Sequence, residues 1–387
     1  MTIAEQAPAA GRIALDTEFM GEGRYRTLLC LIQLAVADGN GEERIEILDP
    51  LQGELPVELL ASVLADPQIE VVVHAGRQDI ALLRRTLRCE VRNIFDTQIA
   101  AGFLGMPAQS SYETLLAEML GVRLAKSASF TRWDARPLSS EQLSYAREDV
   151  VHLSALAAEL ERRLEDAGRL QWAREECEFL ENVSDERDLD TVFARLPRVR
   201  GMSAPSQNVA RELVAWREHI AQERDKPVQS VLGDAALVEI AKRKPTSSSK
   251  LEDIRGVAQN SLRKRSVELL EAIQRGLQAS HEPLGSDPRP PQPRPDDVPL
   301  IALCEALVRA RAREAGLAYE LLAARADLQA IVIAQRAGDR ADVRTLRGWR
   351  AELVGDELLA LLDGRLTLSA QGGRVKVDAP RTVPTAG

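Results

Sequence analysis

From residue 12 onward, short apolar runs rich in β-branched residues alternate with stretches that place apolar residues every three or four positions. "IALDTEF", "LLCLIQLAVA", "RIEILDP" and "IEVVVHAG" read as strands. The first three follow one another closely, as in an antiparallel meander. "PVELLASVLADP", "QDIALLRRTL" and "SYETLLAEMLGV" carry the helical period, as does a long run from Ser139 to about Leu164. Ser139 with Gln142 three residues on forms a capping box for that helix. Residues 12–165 are therefore expected to be one α/β domain.

Beyond it the strand signal disappears. Residues 166–205 read as a helical connector containing the polar stretch "ENVSDERDLD". Residues 206–281 are helical throughout, with stops at Pro245, Gly256 and Gly276. "EPLGSDPRPPQPRPDDVP", 282–299, is a semi-rigid proline-rich linker. Residues 300–368 are helical again and echo the previous unit. "DAALVEIAKR", "LEDIRG" and "ELLEAIQRG" are matched by "RADLQAIVIAQR", "VRTLRG" and "ELLALLDGR", which points to an internal duplication. Residues 1–11 and the tail 369–387 are expected to be disordered.

Composition narrows the function. No apolar run reaches the ~18 residues of a membrane span, and "MTIAEQAPAAG" has no signal-peptide pattern. No membrane partner is expected. Four scattered cysteines without a C-x-x-C pair, and only four histidines, argue against a zinc site and a disulfide framework. They suit a reducing cytoplasm. A net charge of −9 argues against a general nucleic-acid coat protein but allows an enzyme with a local basic groove.

The candidate chemistry is carboxylate. Asp16 and Glu18 are two apart at the end of the first strand, so their side chains share one face. Burying two acids together is costly unless a cation sits between them. Asp79 follows "HAGRQ" at a strand-to-helix turn, where a helix N-terminus alone would also favour it. Tyr145 and Asp149 are four apart on the long helix and lie on one face.

D-x-E, then H-A-G-x-x-D, then Y-x-x-x-D, in that order, resemble the DEDDy group of 3'→5' exonucleases on the ribonuclease H-like fold, and most closely the ribonuclease D family. "LIQL", "LDP", "FDTQIAA", "GVRLAKS" and "WDARPLS" extend the resemblance over residues 12–165. Residues 206–281 resemble the HRDC helical domain of that family, and 300–368 a second, degenerate copy. After the first motif this chain has "GRYRTLL", which keeps Tyr25 but lacks the proline members often carry.

The resemblance implies a mixed sheet flanked by helices, followed by all-α HRDC-type domains. It implies two divalent ions, Mg²⁺ or Mn²⁺, which prefer carboxylate oxygens. Asp16 would bridge both ions, Glu18 and Asp149 would hold the ion that activates water, and Asp79 would help hold the second. Tyr145 would orient the attacking water, since an ordinary phenol with pKa ~10 is a poor base at neutral pH. It further implies trimming of RNA 3' ends, with tRNA precursors as leading substrate and nucleoside 5'-monophosphates as products, by a cytoplasmic monomer. A repair-type DNA exonuclease is the alternative. A non-catalytic RNA-binding scaffold is a weaker one, because acids stand at all four metal positions.

Secondary candidates are basic. Lys126, Arg132, Trp133 and Arg136 form a basic-aromatic cluster suited to phosphate and base contact. Lys242, Arg243 and Lys244 belong to a locally basic helical unit suited to guiding RNA. His74 reads either as support for the Asp79 turn or as a core histidine. Asp96 reads as a helix cap, and Gln33 as structural. With the metal site wholly before residue 150, truncation near Val199 is expected to leave a folded nuclease.

Overall fold

The computed structural model describes residues 2–37, 43–124, 132–254, 259–284 and 292–378. Five strands form the main sheet: β1 (Arg12–Met20), β2 (Leu28–Ala37), β3 (Glu43–Leu48), β4 (Glu70–Val73) and β5 (Ile94–Asp96), in the order β3-β2-β1-β4-β5. β1, β2 and β3 are an antiparallel meander, while β4 and β5 run parallel to β1 and to each other. The mixed sheet is the expected one.

Helices cover both faces: α1 (Ile3–Ala10), α2 (Val57–Ala65), α3 (Arg77–Leu87), α4 (Thr97–Gly102), α5 (Tyr112–Leu115), α6 (Ser140–Val151), α7 (Leu153–Asp166) and α8 (Leu170–Cys177). Alternation along β1 divides the core. Ile13 and Leu15 pack with Leu60, Leu64, Ile80 and Leu83 of α2 and α3. Ala14 joins Val150 of α6, Leu156 and Leu160 of α7 and Phe103 on the other face.

Two expectations fail in this domain. The first residues are not disordered: α1 has a Thr2–Glu5 capping box and buries Ile3, Ala4 and Ala7 against the sheet. The long helix from Ser139 starts at its expected capping box but breaks at His152 (φ −112°, ψ 3°). The break lets α6 cover β1–β3 while α7 crosses β2, β1 and β4 and packs on α4.

Residues 189–278 form a helical unit with α9 (Leu189–Ala194), α10 (Ala204–Glu223), α11 (Val228–Val231), α12 (Asp234–Arg243), α13 (Ser248–Glu252) and α14 (Gln259–Gln278). It has its own core, including Phe193, Leu213, Leu237, Ile240 and Ile273. Gly276, read as a stop, lies inside α14. A Cβ there would sit 2.5 Å from the Val209 Cα, so the glycine lets α14 press against the α10 backbone. The Gly256 stop lies outside the described residues.

The order long helix, one-turn helix, medium helix then recurs as α15 (Asp297–Ala315), α16 (Tyr319–Leu322) and α17 (Arg325–Ala337). The linker thus ends before 299: Asp297 opens α15, accepting from Arg294 N at 2.7 Å and pairing with Arg336. The tail is not disordered from 369. β6 (Thr367–Gln371) and β7 (Arg374–Asp378) form a hairpin across Gly372–Gly373, and Leu368 and Val377 pack on the neighbouring core. Residues 379–387 lie outside the described residues.

The two helical units meet the sheet domain differently. The second shares its core: Trp172 and Trp349 stack with centroids 5.0 Å apart, and Phe103 meets Trp349 edge-on at 5.3 Å. Ala318 N donates to Gly102 O at 2.9 Å, and Arg169 Nη1 donates to Phe103 O at 2.9 Å and to Gly316 O at 3.2 Å. The first unit meets the segment after β1 through polar groups. Arg24 pairs with Asp225 at 2.8 Å, and Tyr25 N donates to the same carboxylate at 3.1 Å.

Candidate active site

Asp16 and Glu18 lie within β1, which runs on past them to Met20, on the face covered by α6, and α6 brings Asp149 to them. One carboxylate oxygen from each of the three lies within 4.8 Å of the others. Burial first, and then the charges of Asp79, Asp149 and Glu18, hold the Asp16 carboxyl well above its ordinary range. Burial and then Asp149 and Asp79 push Glu18 to about 8. Asp149 is raised to about 7 by burial and then by Glu148, against a hydrogen bond from Tyr145. Acids in this state favour a proton or a cation between them. An all-oxygen donor set fits a hard divalent ion such as Mg²⁺ or Mn²⁺.

Asp79 stands beside this group, not within it. It lies in the first turn of α3, where the Thr17 hydroxyl donates to it. Its charge nevertheless bears on Asp16 and Glu18. The turn that aims it needs Gly76, because a Cβ there would meet Val73 at 2.6 Å. Asp96 fixes the same turn. Its carboxylate caps α4 through Gln98 N (2.9 Å) and Ile99 N (3.3 Å), and also accepts from Ala75 N (3.1 Å) and Gly76 N (2.9 Å). The cap reading holds, and the turn is added to it. His74 lies in this turn with its Nδ1 2.9 Å from Thr97 Oγ1, and burial lowers its pKa to about 4. It is a neutral, satisfied histidine.

Thr17 was invisible in the sequence because it is the x of D-x-E. The strand period points it to the α3 face, and a hydroxyl between two acids was the available signal. Gln33, read as structural, lies beside the acids. It pairs with Asp16 across the β1–β2 ladder and is fully buried, yet neither amide atom has a partner among the described residues.

Tyr145 sits one turn before Asp149 and hydrogen-bonds it. Burial first, then Asp149, Glu18 and Asp16, raise its phenol pKa. The group is a donor here, not a base.

The basic-aromatic cluster is largely structural. Trp133 is 4% exposed and packs with Cys30, Leu31 and Ala146, its ring 6.0 Å from Tyr145. It cannot stack on a base. Arg136 pairs with both Asp49 oxygens at 2.7 Å and donates to Trp133 O (2.7 Å) and Cys30 O (3.0 Å). A register shift between Glu18 and Phe19 leaves Cys30 as the extra residue of β2, which presents that carbonyl. These contacts occupy the guanidinium and leave it little for phosphate. Arg132 is exposed and pairs with Asp134 at 3.0 Å, while Lys126 lies outside the described residues. Lys242 is exposed, Arg243 pairs with Glu239 at 2.5 Å, and Lys244 is drawn inward to Ser206 Oγ (2.9 Å) and Lys242 O (3.1 Å).

Comparison with known proteins places the chain among nucleases. A 3'-5' exonuclease family model matches residues 2–165, and an HRDC domain model matches residues 206–273. Ribonuclease D of Gluconacetobacter diazotrophicus is 35% identical, over 94% of this chain and 91% of that one. Ribonuclease D of Nitrobacter hamburgensis is 32% identical over 97% of each chain. Among solved structures, Escherichia coli RNase D, described as an exoribonuclease involved in structured RNA processing, superposes with a TM-score of 0.75 at 27% identity. That match covers 93% of this chain and 95% of that one.

Proposed function

The chain belongs to the ribonuclease D family of 3'→5' exoribonucleases, and we propose that it trims the 3' ends of structured RNA, tRNA precursors foremost, releasing nucleoside 5'-monophosphates. The observation that carries the reading is the convergence of Asp16, Glu18 and Asp149 from two elements, with Asp79 beside them and Tyr145 bonded to Asp149.

In this reading Asp16 would be a ligand common to two divalent ions. Glu18 and Asp149 would help hold one of them, and Asp79, oriented by Thr17, would help hold the other. Bound ions would supply the Lewis acidity that activates water and offsets charge on the departing 3'-oxygen. Tyr145 holds the attacking water by a hydrogen bond and does not take its proton. The enzyme acts as a cytoplasmic monomer.

The experiment is cleavage of 5'-labelled RNA and DNA of one sequence, with Mg²⁺, Mn²⁺ or EDTA, alongside a tRNA carrying a 3' extension. The expected result is stepwise shortening of RNA from its 3' end with 5'-monophosphate products, and none in EDTA. Equal or faster shortening of DNA would turn the reading toward a DNA exonuclease. Mature tRNA ends that never form would remove the tRNA assignment.

A further inference from the structure

One cleft outside the carboxylate site has the wrong charge for a protein of net −9. It has a volume of about 610 Å³ and is lined by Arg26, Arg84, Arg85, Thr86, Arg88 and Glu186. Arg85 is spoken for: it pairs with Asp185 at 2.8 Å and donates to Thr27 O at 2.6 Å. Arg84 donates to the Glu181 carbonyl, a neutral acceptor, and makes no ion pair among the described residues. Arg88 is exposed and makes no ion pair among the described residues. Arg26 lies over the Tyr25 ring at 5.7 Å, and its buried Nε has no acceptor among the described residues. Three guanidinium charges therefore face a single lining acid, Glu186.

Arginines at the end of α3 favour its dipole, and that explains Arg84 and Arg85. It does not explain Arg26, which comes from a different segment and carries an orphan donor. A buried N–H without a partner is costly unless a ligand supplies the acceptor. Guanidinium groups meet phosphate oxygens through paired N–H donors. The cleft is far larger than a single small anion requires, a water occupying roughly 30 Å³, and so suits a strand.

Its position is tied to the acids on both sides. Arg26 lies on the segment joining β1, which carries Asp16 and Glu18, to β2. Arg84 lies on α3 and Arg88 just past its last residue, Leu87, which is about 12 Å along the axis from Asp79 in the first turn. Resting on the exoribonuclease reading above, we propose that this arginine cleft binds the phosphodiester backbone of the RNA, upstream of the nucleotide being removed.

The test uses the full chain in EDTA, so that binding is read without cleavage. Fluorescence anisotropy follows 5'-labelled oligoadenylates of 20 and 3 nucleotides across a salt series, for the native chain and an Arg26→Gln/Arg88→Gln variant. The 20-mer should bind about tenfold more weakly to the variant. Its log–log salt slope should be shallower by ~1.4, about 0.7 for each phosphate no longer neutralised. The trinucleotide, whose two phosphodiester linkages are taken up at the carboxylate site, should lose less than about twofold. Unchanged affinity and slope for the 20-mer would overturn the proposal. Equal losses at both lengths would also overturn it, because the arginines would then act at the carboxylate site. Inorganic phosphate is the third arm. If it raises the melting temperature of the native chain but not of the variant, while RNA binding is unaffected, the cleft takes a free anion instead. Should the double variant melt lower, Arg88→Gln alone, at an exposed residue with no described ion pair, carries the test with half the slope change. A native chain that binds and shortens neither RNA would defeat the parent reading itself. Native binding with an unaffected variant defeats only the cleft.

Discussion

Tyr145 lies where three carboxylates and burial oppose loss of its proton, and its hydroxyl already donates to Asp149. Tyr145→Phe should cut turnover by ~10²–10³, the usual cost of one preorganised contact. It also removes a donor that favours ionised Asp149. The acid limb of the pH–rate profile should therefore move upward, which a stopped assay at saturating Mg²⁺ would detect. Full activity would make the ring a packing residue only. Asp16→Asn and Asp149→Asn should abolish cleavage while RNA binding survives. Retention of more than a tenth of wild-type rate, a barrier change under ~1.4 kcal/mol, would remove their assignment as ligands.

The raised Glu18 pKa is also a statement about stability. With the folded pKa near 8 and an unfolded value of ~4.3, the folded state binds the proton more tightly. Its stability, without ions, must fall as pH rises through that window. Glu18→Gln should raise the melting temperature in EDTA at pH 8, and the gain should vanish near pH 4. A gain that persists at pH 4 would point to packing instead of charge. Excess Mg²⁺ should shrink the gain at pH 8.

At the scale of elements, the loop 132–137 shows how packing reaches the site. Arg136 fastens it to Asp49 and to the carbonyl freed by the bulge at Cys30, and Trp133 then supports Tyr145. Arg136→Gln should destabilise the fold by about 2–4 kcal/mol, since it strands Asp49, and should lower turnover through Tyr145. The salt slope of RNA binding should not change. A shallower slope would restore the phosphate-binding role that the sequence suggests for this arginine.

Much at this scale was legible because local chemistry and tertiary structure agree. Ser139 and Gln142 cap α6 as read, and "HAGRQD" makes the turn that aims Asp79. His152 breaks a helix without glycine or proline, so only the two faces being covered reveal it. The N-terminal helix and the "LSAQGGRVKV" hairpin carried signals, a Thr2–Glu5 box and a Gly-Gly turn between alternating residues. Composition and terminal position hid them, because what orders both segments is burial against residues distant in sequence.

For the whole molecule, the shared core overturns one expectation. Motif positions alone suggest that truncation near Val199 leaves a folded nuclease, but it would strip the cover from Phe103 and Trp172. Burying each large apolar side chain is worth ~1.5–3 kcal/mol, and a fold holds only ~5–15 in total. Chains ending before residue 292 should aggregate or melt well below the full chain. Trp349→Ala should cost about 3–5 kcal/mol, with nuclease activity lost at the same lowered midpoint. Activity outlasting the melting of the last unit would show that the core is not one cooperative body. The polar Arg24–Asp225 contact of the first helical unit should instead weaken with salt.

The distance in sequence between Trp172 and its stacking partner sets a delay during synthesis. At ~5–20 residues per second the ribosome takes roughly 10–35 s to travel from one to the other. Throughout that interval the nascent chain already displays every acid of the cutting centre, but lacks the wall that finishes its core. An RNA-degrading enzyme built this way gains a finished core only after that wall has been made.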